Sequence, residues 1–538
     1  MHPRREKDLN SGRPHVSSEV KCFPRKRGYD FTMFGFDIEF RRHRWALIYC
    51  SISAIGALVF GYDNTYYSGI LGMQQFKNDF GNHYEDGAKA LATDFTSLTT
   101  SSIYIGDMVG ALIAGLLNDR FGRKIVLWIA SAFVLAGGVT QVADTNIESI
   151  IVLGRILIGL GVGNFTVTSL LYIGEVAPLE IRSPVLYMYQ FLQSCSQLVA
   201  SGLTQGTNSI ESFLSYKLPM GGLIILPLIL LVFLPFIPES PTWYVFRGRP
   251  DDARRSLAKI HRNDPTYDPS ADLSFLEQAR RYEETQGEAS SWLSLLLDPI
   301  ERKKLLWAAG GMYAQQICGI IFFYNYGVVF AEALGVSQPF TITLITMILQ
   351  IFAVAASILT GNRLSRRTNL LSSTSLILIA FIVIGGLGTQ TTLSTASKYI
   401  IVVFSYVVIC AYNFGLGPLT YAVTRELSVG VNQNKIMSVS IVALYFFLWL
   451  ISFTAPYLYD NAGLGPMVGF VYAGTTLSSL AWVWFCVGET QGRTRLEVAM
   501  FFTDNVPARR WKTHVFVNPV VDEKGEMGVG VAHVENSA

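Results

Sequence analysis

The chain has 538 residues, half of them apolar and only 15% charged, with a mean hydropathy of +0.35. Soluble domains of this length are seldom so apolar, so the composition points to a helical membrane protein and away from a soluble enzyme. A net charge of +2 leaves no bulk basic footprint for nucleic acid.

Residues 1–44 form a polar tail rich in Lys, Arg and Pro that ends in Arg41-Arg42-His43-Arg44. It reads as a cytoplasmic tail without a signal peptide, disordered up to about Gly28. Apolar runs long enough to cross a bilayer as helices follow at about 45–69, 96–117, 125–143, 149–171, 185–206 and 218–237. A polar interval, 238–304, separates them from six more at about 305–331, 340–361, 370–388, 399–421, 436–459 and 464–487. Residues 488–538 are a second polar tail. The expectation is an all-α integral membrane protein of twelve transmembrane helices in two six-helix bundles, 45–237 and 305–487.

Lys and Arg decide the orientation. Arg120, Arg123, Lys124, Arg182, Arg363, Arg366, Arg367, Arg425 and Lys435 sit in loops on the tail side, against Lys77, Lys89, Lys217 and Lys398 opposite. Both tails are therefore expected in the cytoplasm. In the central interval, Pro250–Ile260 has acids in its first turn and bases later, which suits a short surface helix, and Asp272–Thr285 reads as a second. The six cysteines, Cys22, Cys50, Cys195, Cys318, Cys410 and Cys486, lie in the N-terminal tail or in apolar runs, so no disulfide framework is expected.

The halves echo each other. Asn118-Asp119-Arg120-Phe-Gly122-Arg123-Lys124 after the second run corresponds to Asn362-Arg363-Leu-Ser365-Arg366-Arg367 after the eighth. Glu175 precedes Arg182 by seven residues as Glu426 precedes Gln433, and the sixth and twelfth runs exit through Pro238-Glu239-Ser240-Pro241 and Gly488-Glu489-Thr490.

Charged groups inside the runs are the first functional candidates. Arg155 is the only Arg or Lys placed within a run; it cannot shed its charge and needs an anion, for which Asp63 and Asp107 are available. Gly154, Gly159, Gly161 and Gly163 lie in a run with no preceding strand, so they read as helix-packing residues, not a nucleotide loop. No P-loop pattern supports ATP-driven transport, and no metal or cofactor is expected.

Several motifs together resemble the sugar porter family of the major facilitator superfamily, of fungal type. They are Phe60-Gly61-Tyr62-Asp63, the Gly115-x-x-x-Asp119-Arg120-x-Gly122-Arg123-Lys124 loop, Gly154-Arg155, Pro238-Glu239-Ser240-Pro241, Gln315-Gln316-Ile-Cys-Gly319, Gly417-Pro418-Leu-Thr-Tyr421 and Glu489-Thr490-Gln-Gly492-Arg493. Gly417–Tyr421 and Val506–Lys512 look like the α-glucoside permease branch, and Phe322–Gly327 like hexose transporters. The resemblance covers about residues 45–515 and implies a carrier that works as a monomer in the plasma membrane.

That resemblance makes Asp63 and Arg155 a facing pair that takes up and releases a proton; a purely structural ion pair is the competing reading. Asp107 is expected to fix packing through a polar contact; lining the outer cavity with a part in coupling is the competing reading. Gly115, Asp119, Arg120, Gly122, Arg123, Glu175, Arg182, Glu239, Arg363, Arg366, Arg367, Glu426 and Glu489 would form an inner charge network that latches the halves while the carrier faces outward. Gly115 and Gly122 would allow close helix approach and a tight turn. Gln433 and Ser365 replace an Arg and a Gly of the family, which weakens the C-terminal side of the latch.

Gln190, Gln315, Gln316, Asn413, Tyr421 and Tyr326 would bind the solute, because sugars need amides for their hydroxyls and aromatics for their apolar faces. Ile321, Leu444 and Tyr445 stand where relatives carry an Asn, an amide and a Trp. The cavity is thus drier, and an α-glucoside, another polyol or a less polar metabolite suits it better than a typical hexose. The expected function is proton-coupled symport of a sugar or sugar-like solute. An uncoupled facilitator, a metabolite exporter and a non-transporting sensor stay open, although a signalling tail would be longer than this one.

Overall fold

The computed structural model describes residues 31–33, 36–38, 41–81, 83–85, 88–143, 147–264, 267–287, 292–360, 364–390, 392–430, 432–491, 493, 495–514, 519–521 and 527–529. Residues 1–30, on which the expected disorder up to Gly28 falls, lie outside them.

Among the described residues, eleven helices are long and apolar enough to cross a membrane. They are α1 (Arg44–Gly72), α2 (Thr93–Phe121), α3 (Arg123–Val142), α4 (Glu148–Val176), α6 (Leu214–Phe236), α7 (Pro299–Ala333), α8 (Pro339–Thr360), α9 (Arg366–Gly388), α10 (Thr395–Leu427), α11 (Gln433–Pro456) and α12 (Val468–Cys486). With α5 (Leu179–Thr207), 29 residues long, they make twelve in the order of the apolar runs. Most overshoot those runs by a few residues, since a helix keeps its backbone paired through the headgroup layer after the apolar side chains stop. Pro250–Ile260 and Pro269–Gly287 are helices too. The first is tied down by Ser256 Oγ, which donates to the Glu239 carbonyl at 2.5 Å. Among the described residues, three antiparallel strand pairs lie outside the helices: Phe31–Met33 with Phe36–Ile38, His83–Glu85 with Ala88–Ala90, and Pro519–Val521 with Met527–Val529.

The first six helices pack among themselves through α2–α4, α3–α4, α1–α5 and α3–α6, and the last six through α9–α12, α7–α11 and α7–α10. The two sets meet along α1–α7, α2–α11 and α5–α8. Small residues bring α2 and α4 together: a Cβ on Gly106, Gly110, Gly159 or Gly163 would strike the backbone of the facing helix. α7 is broken at Gly319, whose φ of +80° favours glycine and whose hydrogens face the Tyr472 ring. α10 carries a π-turn over Tyr412–Leu416, just before Pro418, which has no N–H to give.

Candidate functional site

α1 buries Asp63 on the face turned toward α4 and α5, and α4 brings Arg155 to it. Arg155 Nη1 donates to Asp63 Oδ1 at 3.1 Å, and both residues are 3% exposed. Arg155 Nε donates to the Thr99 carbonyl at 3.1 Å, Nη1 reaches the Tyr66 hydroxyl at 3.4 Å, and the guanidinium lies 4.3 Å from the Tyr67 ring centre. Tyr66 donates in turn to Gln141 Oε1 at 2.8 Å. Hydrogen bonds and a π face thus replace the water that both charges have lost.

Beyond this pair, the end opposite the tails is closed by contacts between the halves. Lys77 Nζ pairs with Glu332 at 2.7 Å, Tyr457 OH donates to Asp94 at 2.8 Å, and Thr93 Oγ1 to Asn461 at 3.0 Å. Deeper, Ser97 Oγ donates to the Phe453 carbonyl at 2.5 Å. Asn325 Nδ2 donates to Tyr104 OH at 3.0 Å and to Ser452 Oγ at 2.9 Å. Tyr326 OH donates to the Ser452 carbonyl at 2.8 Å. Tyr326 thus sits in the closed seam at the end opposite the tails and spends its hydroxyl on the backbone of α11.

The amides assigned to the solute lie nearer the tail side. Gln315 Nε2 donates to the Gly417 carbonyl at 2.5 Å, and Gln316 Nε2 to Gln315 Oε1 at 3.1 Å. Asn413 Nδ2 donates to Tyr324 OH at 2.8 Å and to the Ile409 carbonyl at 2.9 Å. Gln190 and Tyr421 keep part of their surface, whereas Tyr326 and Ser452 are buried. Gln315, Gln316 and Asn413 are buried as well, so on the tail side accessible surface survives at Gln190 and Tyr421 but not at these three amides. Ile321, Leu444 and Tyr445 are buried.

Sequence reasoning missed Gln350. Its Nε2 donates to Ser194 Oγ at 3.2 Å and to Gln197 Oε1, joining α8 to α5 across the halves. The available signal was a lone amide in the apolar run Thr343–Ala353.

The tail-side charges form two copies of one motif. Arg123, at the start of α3, makes a two-point pair with Glu175 at the end of α4, at 2.7 and 2.8 Å. Glu239 accepts from the backbone N–H groups of Arg123 at 2.9 Å and Lys124 at 3.0 Å. In the second half Arg366 pairs with Glu426, and Glu489 accepts from Ser365 Oγ and from the N–H groups of Arg366 at 3.3 Å and Arg367 at 3.4 Å. In both halves a carboxylate caps the unsatisfied N-terminus of a helix, where the dipole favours it. Burial pushes the Glu239 carboxyl above its usual range, and the N–H donors of Ser240, Lys124 and Arg123 hold it partly back.

These two ion pairs each close within one half. Arg182 Nε donates to its neighbouring Ala177 carbonyl at 3.2 Å. Asp119 and Arg120 are exposed; the Asp119 carbonyl accepts from Trp243 Nε1 and Arg247 Nη2. Gly122 makes the α2–α3 turn with φ of +89°, its α-carbon against the Glu239 carboxylate. Gly115 differs from expectation: a Cβ there would meet nothing within 4 Å, because this end of α2 has no close neighbour on that face. Arg363 lies outside the described residues.

A family model described as "Sugar (and other) transporter" matches residues 49–502. The low-affinity glucose transporter HXT3 of Saccharomyces cerevisiae is 27% identical over 526 residues, covering 94% of this chain and 92% of its own. The high glucose sensor RGT2 of the same yeast is 28% identical over 483 residues, 86% of this chain and 62% of its own. Among solved structures, the inward open conformation of the xylose transporter XylE from E. coli aligns with a TM-score of 0.69 at 19% identity, over 85% of this chain and 99% of that one. The proton:xylose symporter XylE bound to 6-bromo-6-deoxy-D-glucose aligns with a TM-score of 0.69 at 21% identity, over 86% and 100%.

Proposed function

The chain belongs to the family of sugar (and other) transporters, and on that premise we propose that it carries a sugar or sugar-like solute together with a proton by alternating access. The observation that carries the coupling is the buried Asp63–Arg155 pair. A carboxylate held by one guanidinium away from water gives up its proton readily while paired and takes one when the pair loosens. Rocking of 45–237 against 305–487 is the motion that would loosen it. The closed outer seam and the accessible tail side of Gln190 and Tyr421 correspond to a solute-release state. In that state the Arg123–Glu175 and Arg366–Glu426 pairs hold each half together and leave the latch between halves undone.

The tails lie in the cytoplasm, the membrane is the plasma membrane, and the monomer is the working unit. A charge moved inward across 100 mV gains about 2.3 kcal/mol, roughly fifty-fold accumulation. The solute site comprises Gln190, Gln315, Gln316, Asn413 and Tyr421. Sugar as the substrate class is supported by the relatives, which include glucose and xylose transporters. The apolar wall at Ile321 and Leu444 favours an α-glucoside or polyol over a hexose. Labelled glucose, xylose, maltose and sorbitol uptake in a transport-deficient yeast at two pH values, with Asp63→Asn alongside, tests both points. Uptake that rises in acid and collapses with a protonophore is expected, with accumulation lost in the variant. Accumulation by Asp63→Asn equal to the parent refutes the coupling assignment.

A further inference from the structure

Away from the tail-side Arg123–Glu175 pair, the described residues of the first half bury two carboxylates, Asp63 and Asp107, but one guanidinium, Arg155. Asp107 on α2 is 1% exposed, and its Oδ1 has no hydrogen-bond donor. The ionisable groups that act on it are Asp63 from α1, Arg155 from α4, Tyr104 on α2 itself and Tyr445 from α11. Arg155 is already committed to Asp63, Thr99 and Tyr66. Neither tyrosine is placed to serve Asp107: Tyr104 is engaged with Asn325, and the Tyr445 hydroxyl with Thr166. A second bare negative charge here would face the Asp63 charge across low dielectric with no donor of its own, which disfavours the ionised form. The glycine seam between α2 and α4 pins Asp107 in place, since Gly159 and Gly163 press on its backbone.

We propose that Asp107 is a second proton-binding carboxylate of the coupling site, so that the cluster of Asp63, Asp107 and Arg155 carries one proton more than the ion pair alone. The inference rests on the proton-symport reading above. Asp107 lies eight residues beyond Thr99, about 12 Å farther along α2 toward the tails. In the outer-closed state the proton resides on the Asp107 carboxyl while Asp63 stays paired. Its departure leaves a carboxylate whose repulsion by Asp63 loosens the pair and readies it for the next proton.

Acid-minus-alkaline infrared difference spectroscopy on the purified full-length protein tests this without a known solute. The parent should show a protonated-carboxyl stretch that Asp107→Asn removes and Asp107→Glu restores at a shifted frequency. Asp63→Asn should move its midpoint to lower pH, because a neighbouring negative charge has gone. A spectrum unchanged in Asp107→Asn overturns the proposal; should that variant not fold, an Asp107→Glu spectrum identical to the parent does so. An unchanged spectrum beside lost accumulation in Asp63→Asn defeats this inference alone. Protonophore-insensitive uptake defeats the coupling reading and this inference with it.

Discussion

Asn325→Leu should open the outer seam. The Asn325 side chain ties α7 to α2 through Tyr104 and to α11 through Ser452, at 3.0 and 2.9 Å, and is 5% exposed. Each buried hydrogen bond contributes about 0.5–1.5 kcal/mol net, so losing two removes about 1–3 kcal/mol. The loss falls on the closed state only, because in the outward-open state water can serve Tyr104 and Ser452. An equilibrium shift of that size changes the open population about 5- to 150-fold. The assay is a cysteine at Thr100, 2% exposed and behind the seam, in a background without the native cysteines. An impermeant maleimide added to intact cells labels it only while the outside is open, and while opening is fast its rate tracks the open population. The Asn325→Leu background should label at least about fivefold faster. A rate within about twofold of the parent would show that these bonds do not hold the closure.

Arg155→Met should lower the thermal midpoint in detergent sharply, since a buried pair broken on one side costs about 3–5 kcal/mol, and adding Asp63→Asn should recover much of the loss; no recovery refutes the pairing. Gly122→Ala should destabilise by at least about 1–2 kcal/mol, because φ is +89° and the new Cβ would meet the Glu239 carboxylate; a melting point equal to the parent contradicts the turn geometry. Folding favours the protonated form of Glu239, whose carboxyl burial raises. Its stabilising share is complete below the ordinary carboxylate pKa and lost as pH rises through the raised one. The melting temperature of the parent should therefore fall relative to that of Glu239→Gln from about pH 4 to about pH 7; a parent that rises relative to the variant refutes the sign.

The twelve helices, their order and the polar interval were all legible in the sequence, because each long apolar run has a single way of pairing its backbone in a bilayer. The candidate site was legible only in part. Very few charges lie inside the runs, so elimination left Asp63 and Asp107 as partners for Arg155, and the family resemblance chose Asp63, which the structure pairs with it. The repeated loop motifs likewise mark the two helix starts that Glu239 and Glu489 cap. Tyr326, Gln350 and Gly115 could not be placed this way. Whether a hydroxyl faces the cavity or the opposite half, whether an amide bridges two helices, and whether a glycine touches a neighbour all depend on helix rotation and on the tilt between the halves. A carrier that rocks must accommodate more than one such tilt with the same residues. The chain alone thus determined which segments span and which charges need partners. Tertiary structure decided which end is shut, because that choice rests on a few hydrogen bonds across a seam and not on the apolar pattern that builds the helices.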